Sequence, residues 1–87
     1  MKHVLFYDLA ENAMPLVQQH YPAHKDRLMQ FAERGTLLMV GTFTDPPMGA
    51  MAVFATREAV EVFMSDDPFL RHGVVGTHRI REWDEGL

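Results

Sequence analysis

Four short runs of strand-forming residues, interleaved with two helical stretches and one proline-rich turn, leave this chain few ways to fold. The first run, KHVLFYDL (2–9), is aromatic and β-branched, the composition of a pleated segment covered on both sides. Alternation sends His3, Leu5 and Tyr7 to one face and Val4, Phe6 and Asp8 to the other. TLLMVGTF (36–43) and AMAVFA (50–55) read as a second and a third strand. TDPPMG (44–49) between them is a turn punctuated by prolines and glycine, so the pair predicts a hairpin. VVGTHRIREW (74–83) is the fourth strand, with Thr77, Arg79, Arg81 and Trp83 alternating against Gly76, His78, Ile80 and Glu82.

The clearer helix runs from Pro22 to Arg34, with Pro22 at its first position and Gly35 as its stop. His24, Leu28 and Phe31 then share one face, while Lys25, Gln30 and Glu33 lie mainly on others. Residues 10–21 are ambiguous; a helical turn opening after Asn12, with Pro15 in it, is one reading. Arg57 to Met64 is the second helix, capped by Thr56, with Ala59, Val60, Phe63 and Met64 facing inward. The order β-α-β-β-α-β is the pattern of a ferredoxin-like α+β sandwich with an antiparallel sheet, here one domain over residues 1–87. In that architecture both helices cover one sheet face. The strands carry apolar side chains on both faces, and 47 % of the residues are hydrophobic. A homodimer closing sheet against sheet is therefore expected.

Composition removes several classes of function. The net charge is −4, from 8 basic and 12 acidic residues, and the scattered cations offer no stripe for phosphates, so no nucleic-acid partner is expected. There is no cysteine, which rules out disulfides, thiolate nucleophiles and cysteine-ligated metals. A small domain without staples fits a cytoplasmic location. The N-terminal stretch lacks the apolar core of a signal peptide, and no run is long enough to span a membrane, so no membrane partner is expected. No glycine-rich nucleotide loop or nucleophile elbow is present, and no cofactor is implied.

Three places carry candidate chemistry. His24 continues the apolar stripe of its helix, where it is either a histidine at the core edge or, beside a carboxylate, a general base. His20 and His24 have the spacing of a helical metal pair, but a helix starting at Pro22 puts His20 off the shared face, and no third ligand is evident, so no metal site is assigned. In SDDPFLRHG (65–73), Asp67 before Pro68 is a good cap for a short new helix closed by Gly73. Asp66 reads as a solvated helix end. Gly41 ends its strand with room for close approach, and the amides of Thr42 and Phe43 are candidates to face a ligand.

AHKDRLMQFAERGTLLMVGTF, GAMAVFA, SDDPFLRHGVV and RIREW together resemble the YCII-related family over nearly the whole chain. The resemblance implies a ferredoxin-like fold of the dimeric α/β-barrel kind and a small pocket holding a histidine–aspartate pair. By position these are His24 and Asp67 as catalytic residues, with Gly41 and Phe69 at matching pocket positions; Thr42, Phe43 and Tyr7 complete the expected substrate pocket. Thr42 stands where the family often has proline, and YPAH lacks the arginine often found just before the histidine; if that arginine binds an anionic substrate in relatives, the resemblance implies a different substrate here. Dehydrochlorination of a chlorinated hydroquinone within the family implies lyase-like or isomerase-like proton abstraction on a small molecule. The alternative is a non-catalytic small-molecule-binding or accessory protein with the same pocket.

Overall fold

The computed structural model describes all 87 residues. Its elements are β1 (Lys2–Leu9), α1 (Met14–Glu33), β2 (Leu37–Thr42), β3 (Gly49–Phe54), α2 (Arg57–Ser65), α3 (Pro68–Arg71) and β4 (Val75–Trp83). The four strands form one antiparallel sheet in the order β2-β3-β1-β4. This is the ferredoxin-like α+β arrangement expected from the element order, with α3 as an extra turn before the last strand.

Register decides which side chains meet the helices. Leu5 lies opposite Ala52 and Ile80, and Tyr7 opposite Ala50 and His78, and residues directly opposite project to the same face. That face packs on Leu28 and Phe31 of α1 and on Ala59, Val60 and Phe63 of α2 in one buried cluster. Phe31, Phe54 and Phe63 form its aromatic centre, with ring centroids 5.3 to 6.4 Å apart in edge-on and tilted contacts. Val4, Phe6, Met51 and Val53 fall on the opposite face by the same register, which no helix covers. Arg79 lies across from Phe6 there, its guanidinium 4.7 Å from the ring centroid.

The first helix departs from expectation. It begins at Met14, eight residues before Pro22, which lies inside it. A proline has no N–H for the carbonyl four residues back and crowds it, at a cost of about 3 kcal/mol in a helix interior. Here Pro22 and Gln18 are both exposed, so water can satisfy the freed Gln18 carbonyl. The added turns place Leu16 and Val17 against the core, which offsets that cost. At its other end α1 closes as expected at Gly35 (φ 79°), where Gly35 N–H bonds Ala32 O and Thr36 N–H bonds Phe31 O, a Schellman closure.

One glycine is required by close approach. A Cβ on Gly49 would sit 2.3 Å from the Tyr7 carbonyl oxygen, so the start of β3 can lie against β1 beside Tyr7 only without a side chain.

Candidate functional site

The site is built around Asp67, at the corner between α2 and α3. Its backbone is extended (φ −76°, ψ 122°), as the residue before a proline must be. Oδ1 accepts the Phe69 N–H at 3.2 Å, so Asp67 caps α3. The carboxylate has further partners: His24 Nδ1 lies 2.6 Å from Oδ1, and the Tyr7 hydroxyl donates to Oδ2 at 2.7 Å. Asp67 is 0 % exposed. Strand β1, helix α1 and the α2–α3 corner therefore converge on one buried carboxylate.

The proton positions follow from the partners. Burial first, then the negative charge of Asp67 and the hydrogen bond to it, push the Tyr7 phenol far above its ordinary range, against a smaller opposing effect of Arg27. Tyr7 is thus a fixed donor. With Tyr7 O–H and Phe69 N–H both donating to it, Asp67 serves as acceptor, and His24 must present Nδ1–H. The other ring nitrogen, Nε2, then carries the lone pair, and no hydrogen bond within the chain occupies it. His24 is 8 % exposed. Its ring lies flat on Phe69, with centroids 3.8 Å apart and planes 6° from parallel, and the edge of Phe63 closes one side at 6.1 Å. The imidazole is held in one orientation and in one tautomer.

A cavity of about 20 Å³ beside it is lined by Leu5, Tyr7, His24, Leu28, Val40 and Phe63, among others. That is room for about one water. A larger open groove of about 260 Å³ runs along the β2 edge, lined by Met39, Val40, Gly41, Thr42, Phe43 and Met51. The structure thus brings Tyr7, Phe69, His24 and Asp67 together, and places Gly41, Thr42 and Phe43 in the adjoining groove, which shares Val40 and Met51 with the cavity. Thr42 shares the face of Ala50 and Tyr7, whereas Gly41 lies opposite Met51 on the other face. The Phe43 amide, a candidate on sequence grounds to face a ligand, instead donates to Gly49 O at 2.9 Å.

Three features go beyond what the sequence predicts. Tyr7 belongs to the expected pocket lining, but its hydroxyl also holds the aspartate. His20, placed before the first turn by a helix starting at Pro22, lies inside α1 and stacks on His72 with centroids 3.9 Å apart. His20 and His24 are thus neighbours on one helix, but each faces a different partner, and no group of three or more potential ligands surrounds a metal position. Arg27, three residues after His24 on the same face, donates from Nε to Phe63 O at 3.0 Å and from Nη2 to Val62 O at 2.7 Å. That i+3 spacing within the buried stripe is the signal the sequence offers for it.

Comparison with known proteins bears on the whole chain. The family model described as the YCII-related domain matches residues 1–84. Among solved structures, 5-chloro-2-hydroxyhydroquinone dehydrochlorinase from Burkholderia phenoliruptrix AC1100, in complex with 2,5-dihydroxybenzoquinone, superposes with a TM-score of 0.84 at 16 % identity, over 99 % of this chain and 96 % of that one. An antibiotic biosynthesis monooxygenase matches with a TM-score of 0.58 at 16 % identity, over 98 % of each chain. The cofactor-independent oxygenase SnoaB from Streptomyces nogalater matches with a TM-score of 0.56 at 12 % identity, over 99 % of this chain and 94 % of that one. At these identities the likeness is one of fold. The search of curated proteins finds no match.

Proposed function

Because the chain belongs to the YCII-related family, we propose that it is a cofactor-independent enzyme acting on a small, flat, enolisable or phenolic molecule, with His24 as general base. The observation that carries this reading is the 2.6 Å contact of His24 Nδ1 with Asp67, which leaves Nε2 as the unoccupied basic nitrogen. Nε2 takes a proton from an acidic C–H or O–H of the substrate. The electron pair released moves through the conjugated substrate and either expels a leaving group, such as chloride, or reprotonates elsewhere. The first outcome is a lyase reaction and the second an isomerisation. The imidazolium formed is stabilised by the buried carboxylate of Asp67, and His24 then returns its proton to the product or to water.

The rest of the pocket suits such a substrate. Its lining is mostly apolar, and a small number of polar groups in an apolar cleft is the usual composition of a ligand site. Tyr7 and Phe69 act on the dyad, one from each side. Thr42 belongs to the rim on the same sheet face as Tyr7, and the β2 groove with Gly41 and Phe43 receives the non-reacting part of a larger substrate. A cavity of about 20 Å³ must widen to admit a ring, by movement of the side chains at its mouth.

The working unit in this reading is a homodimer. The sheet face bearing Val4, Phe6, Met51 and Val53 has no helix over it; Val4 and Val53 are already buried within the chain, while Met39 at its β2 margin and Trp83 on β4 are 61 % and 43 % exposed. A second copy would cover it. Light scattering after gel filtration should give twice the chain mass; a monomer at micromolar concentration contradicts this part.

Activity is tested with 2,5-dihydroxybenzoquinone as a binding probe and with chlorinated hydroxyhydroquinones as substrates, following chloride release. The expected result is probe binding and release by the wild type, and binding without release by His24→Ala. Binding by both with no turnover across that substrate set would overturn the enzymatic reading in favour of a small-molecule-binding protein.

A further inference from the structure

We infer that Arg27 is a positioning residue for the proposed dyad: it fixes the α2–α3 corner so that Asp67 stays aimed at His24. The inference rests on the proposed role of His24, but its structural content can be read without a substrate.

Helix α2 ends at Ser65, and its last carbonyls need donors. Arg27 supplies two of them from a neighbouring helix, Nε to Phe63 O and Nη2 to Val62 O, adding to the Ser65 hydroxyl on Val62 O and the Asp66 N–H on Phe63 O. A guanidinium is suited to this, since its donors lie in one rigid plane and its charge complements the negative end of the helix dipole. The same guanidinium lies 5.0 Å from the Phe31 ring centroid and 5.7 Å from that of Phe63, over the aromatic centre of the core. It makes no ion pair with a carboxylate, unlike Arg57 and Arg71. Its hydrogen bonding is thus directed to the α2 terminus.

That terminus determines where Asp67 stands. Asp66 N–H reaches back to Phe63 O and Asp67 N–H to Met64 O, at 3.4 and 3.5 Å. These two bonds are long and weak, whereas on the α3 side Leu70 and Arg71 N–H both reach Asp67 O at 3.0 Å; the join to α2 is the part of the corner with the least hydrogen bonding of its own. Arg27 binds one of the same carbonyls, Phe63 O, from outside. It also lies one helical turn from His24 on α1. One rigid helix therefore presents the base and, three residues on, the anchor of the strap that carries its partner. The effect of Arg27 on the Tyr7 phenol shows that its charge is also felt at the site.

The test reads the His24–Asp67 contact in the full-length free protein by NMR. A proton held between Nδ1 and a carboxylate gives a strongly downfield resonance, and the ring ¹⁵N shifts report the tautomer. In Arg27→Met the downfield signal should be lost and the ring should become a mixture of tautomers. Arg27→Lys keeps the charge without the rigid two-carbonyl fork, so it should show the same loss in milder form, and it serves in place of Arg27→Met if that variant does not fold. Val53→Ala, on the opposite sheet face, is the control for general destabilisation: its melting temperature should fall with the resonance retained. A folded Arg27 variant with the wild-type resonance and tautomer would overturn the inference while leaving the general-base proposal intact. Absence of turnover by a wild type that shows the resonance would do the reverse.

Discussion

Two ring stacks join α1 to the α3 segment, one helical turn apart, and they are nearly the same object geometrically. His24 lies on Phe69 at 3.8 Å and His20 on His72 at 3.9 Å, both pairs within a few degrees of parallel. Their surroundings differ. The inner stack is buried and has the Asp67 carboxylate on the histidine's Nδ1. The outer stack lies at the surface, with no hydrogen bond or ion pair to a carboxylate. Packing alone orients an imidazole; the buried carboxylate also selects its tautomer and offers a counter-charge to the protonated ring. Only the inner stack has the makings of a base.

The strongest way to break this contrast is to remove the charge and keep the shape. In Asp67→Asn the counter-charge to a protonated His24 is lost whichever way the amide turns. With the oxygen kept on Phe69 N–H and His24 Nδ1, the NH2 meets the Tyr7 hydroxyl, which must then accept; with the NH2 on His24 Nδ1, the α3 cap is lost and the ring proton moves to Nε2, which blocks the base. Turnover of whichever substrate the wild type accepts should fall by about 10²–10⁴-fold, with binding of the quinone probe largely retained. Steady-state kinetics check this, and wild-type kcat in Asp67→Asn would mean the carboxylate is only a cap.

Tyr7→Phe is a gentler probe of the same centre. It leaves Oδ2 of a fully buried carboxylate without its donor, at a cost of about 1–3 kcal/mol. For a domain of this size that corresponds to a fall in melting temperature of roughly 4–8 °C per kcal/mol, measurable by calorimetry. A stability equal to the wild type would show that the Tyr7 bond is not needed to hold the carboxylate.

The inner stack is only half legible without the fold. Asp67 before Pro68 announces a cap by local chemistry, and His24 announces itself by sitting on a buried helical stripe. Nothing local says that two residues 43 positions apart meet; that pairing comes from resemblance to a family. The third partner, Tyr7, comes from a strand whose faces are plain from alternation, but its hydroxyl's target depends on where the α2–α3 corner lies. The outer stack is hidden by a proline. Pro22 reads as a helix start because an internal proline is costly, and that places His20 outside the helix. The exposure of Pro22 and Gln18 and the packing of Leu16 and Val17 on the core, both tertiary properties, make the longer helix tolerable. The strands themselves, by contrast, are legible from alternation and element order, because each strand's two-residue period is local.

Acid distinguishes the stacks further. Loss of hydration, and secondarily the like charge of His72, hold the His20 pKa below its ordinary value. The unfolded chain therefore binds a proton that the folded outer stack resists. Its contribution to stability is present above about pH 6.5, the ordinary histidine value, and declines as pH falls below it. Urea midpoints measured between about pH 7.5 and 5, a window that brackets that value, should show a dependence that is reduced in His20→Gln. An unchanged dependence in that variant would remove the outer stack as its source.

The smallest effect belongs to the neighbouring carboxylate, and it isolates what burial contributes. Asp66 adjoins Asp67 in sequence but ends α2, 60 % exposed at its side chain, in an ion pair with a similarly exposed Arg71 at 2.8 Å. An exposed pair of this kind is worth about 0–1 kcal/mol, because water screens the charges and both side chains lose freedom to meet. Asp66→Asn should therefore shift the urea midpoint only slightly, and added salt should reduce even that. The quinone probe should bind as before, since Asp66 makes no hydrogen bond or ion pair with His24 or Tyr7. If Asp66→Asn instead matched Asp67→Asn in lost turnover, charge near the corner, rather than a carboxylate aimed at one imidazole nitrogen, would be what the site requires.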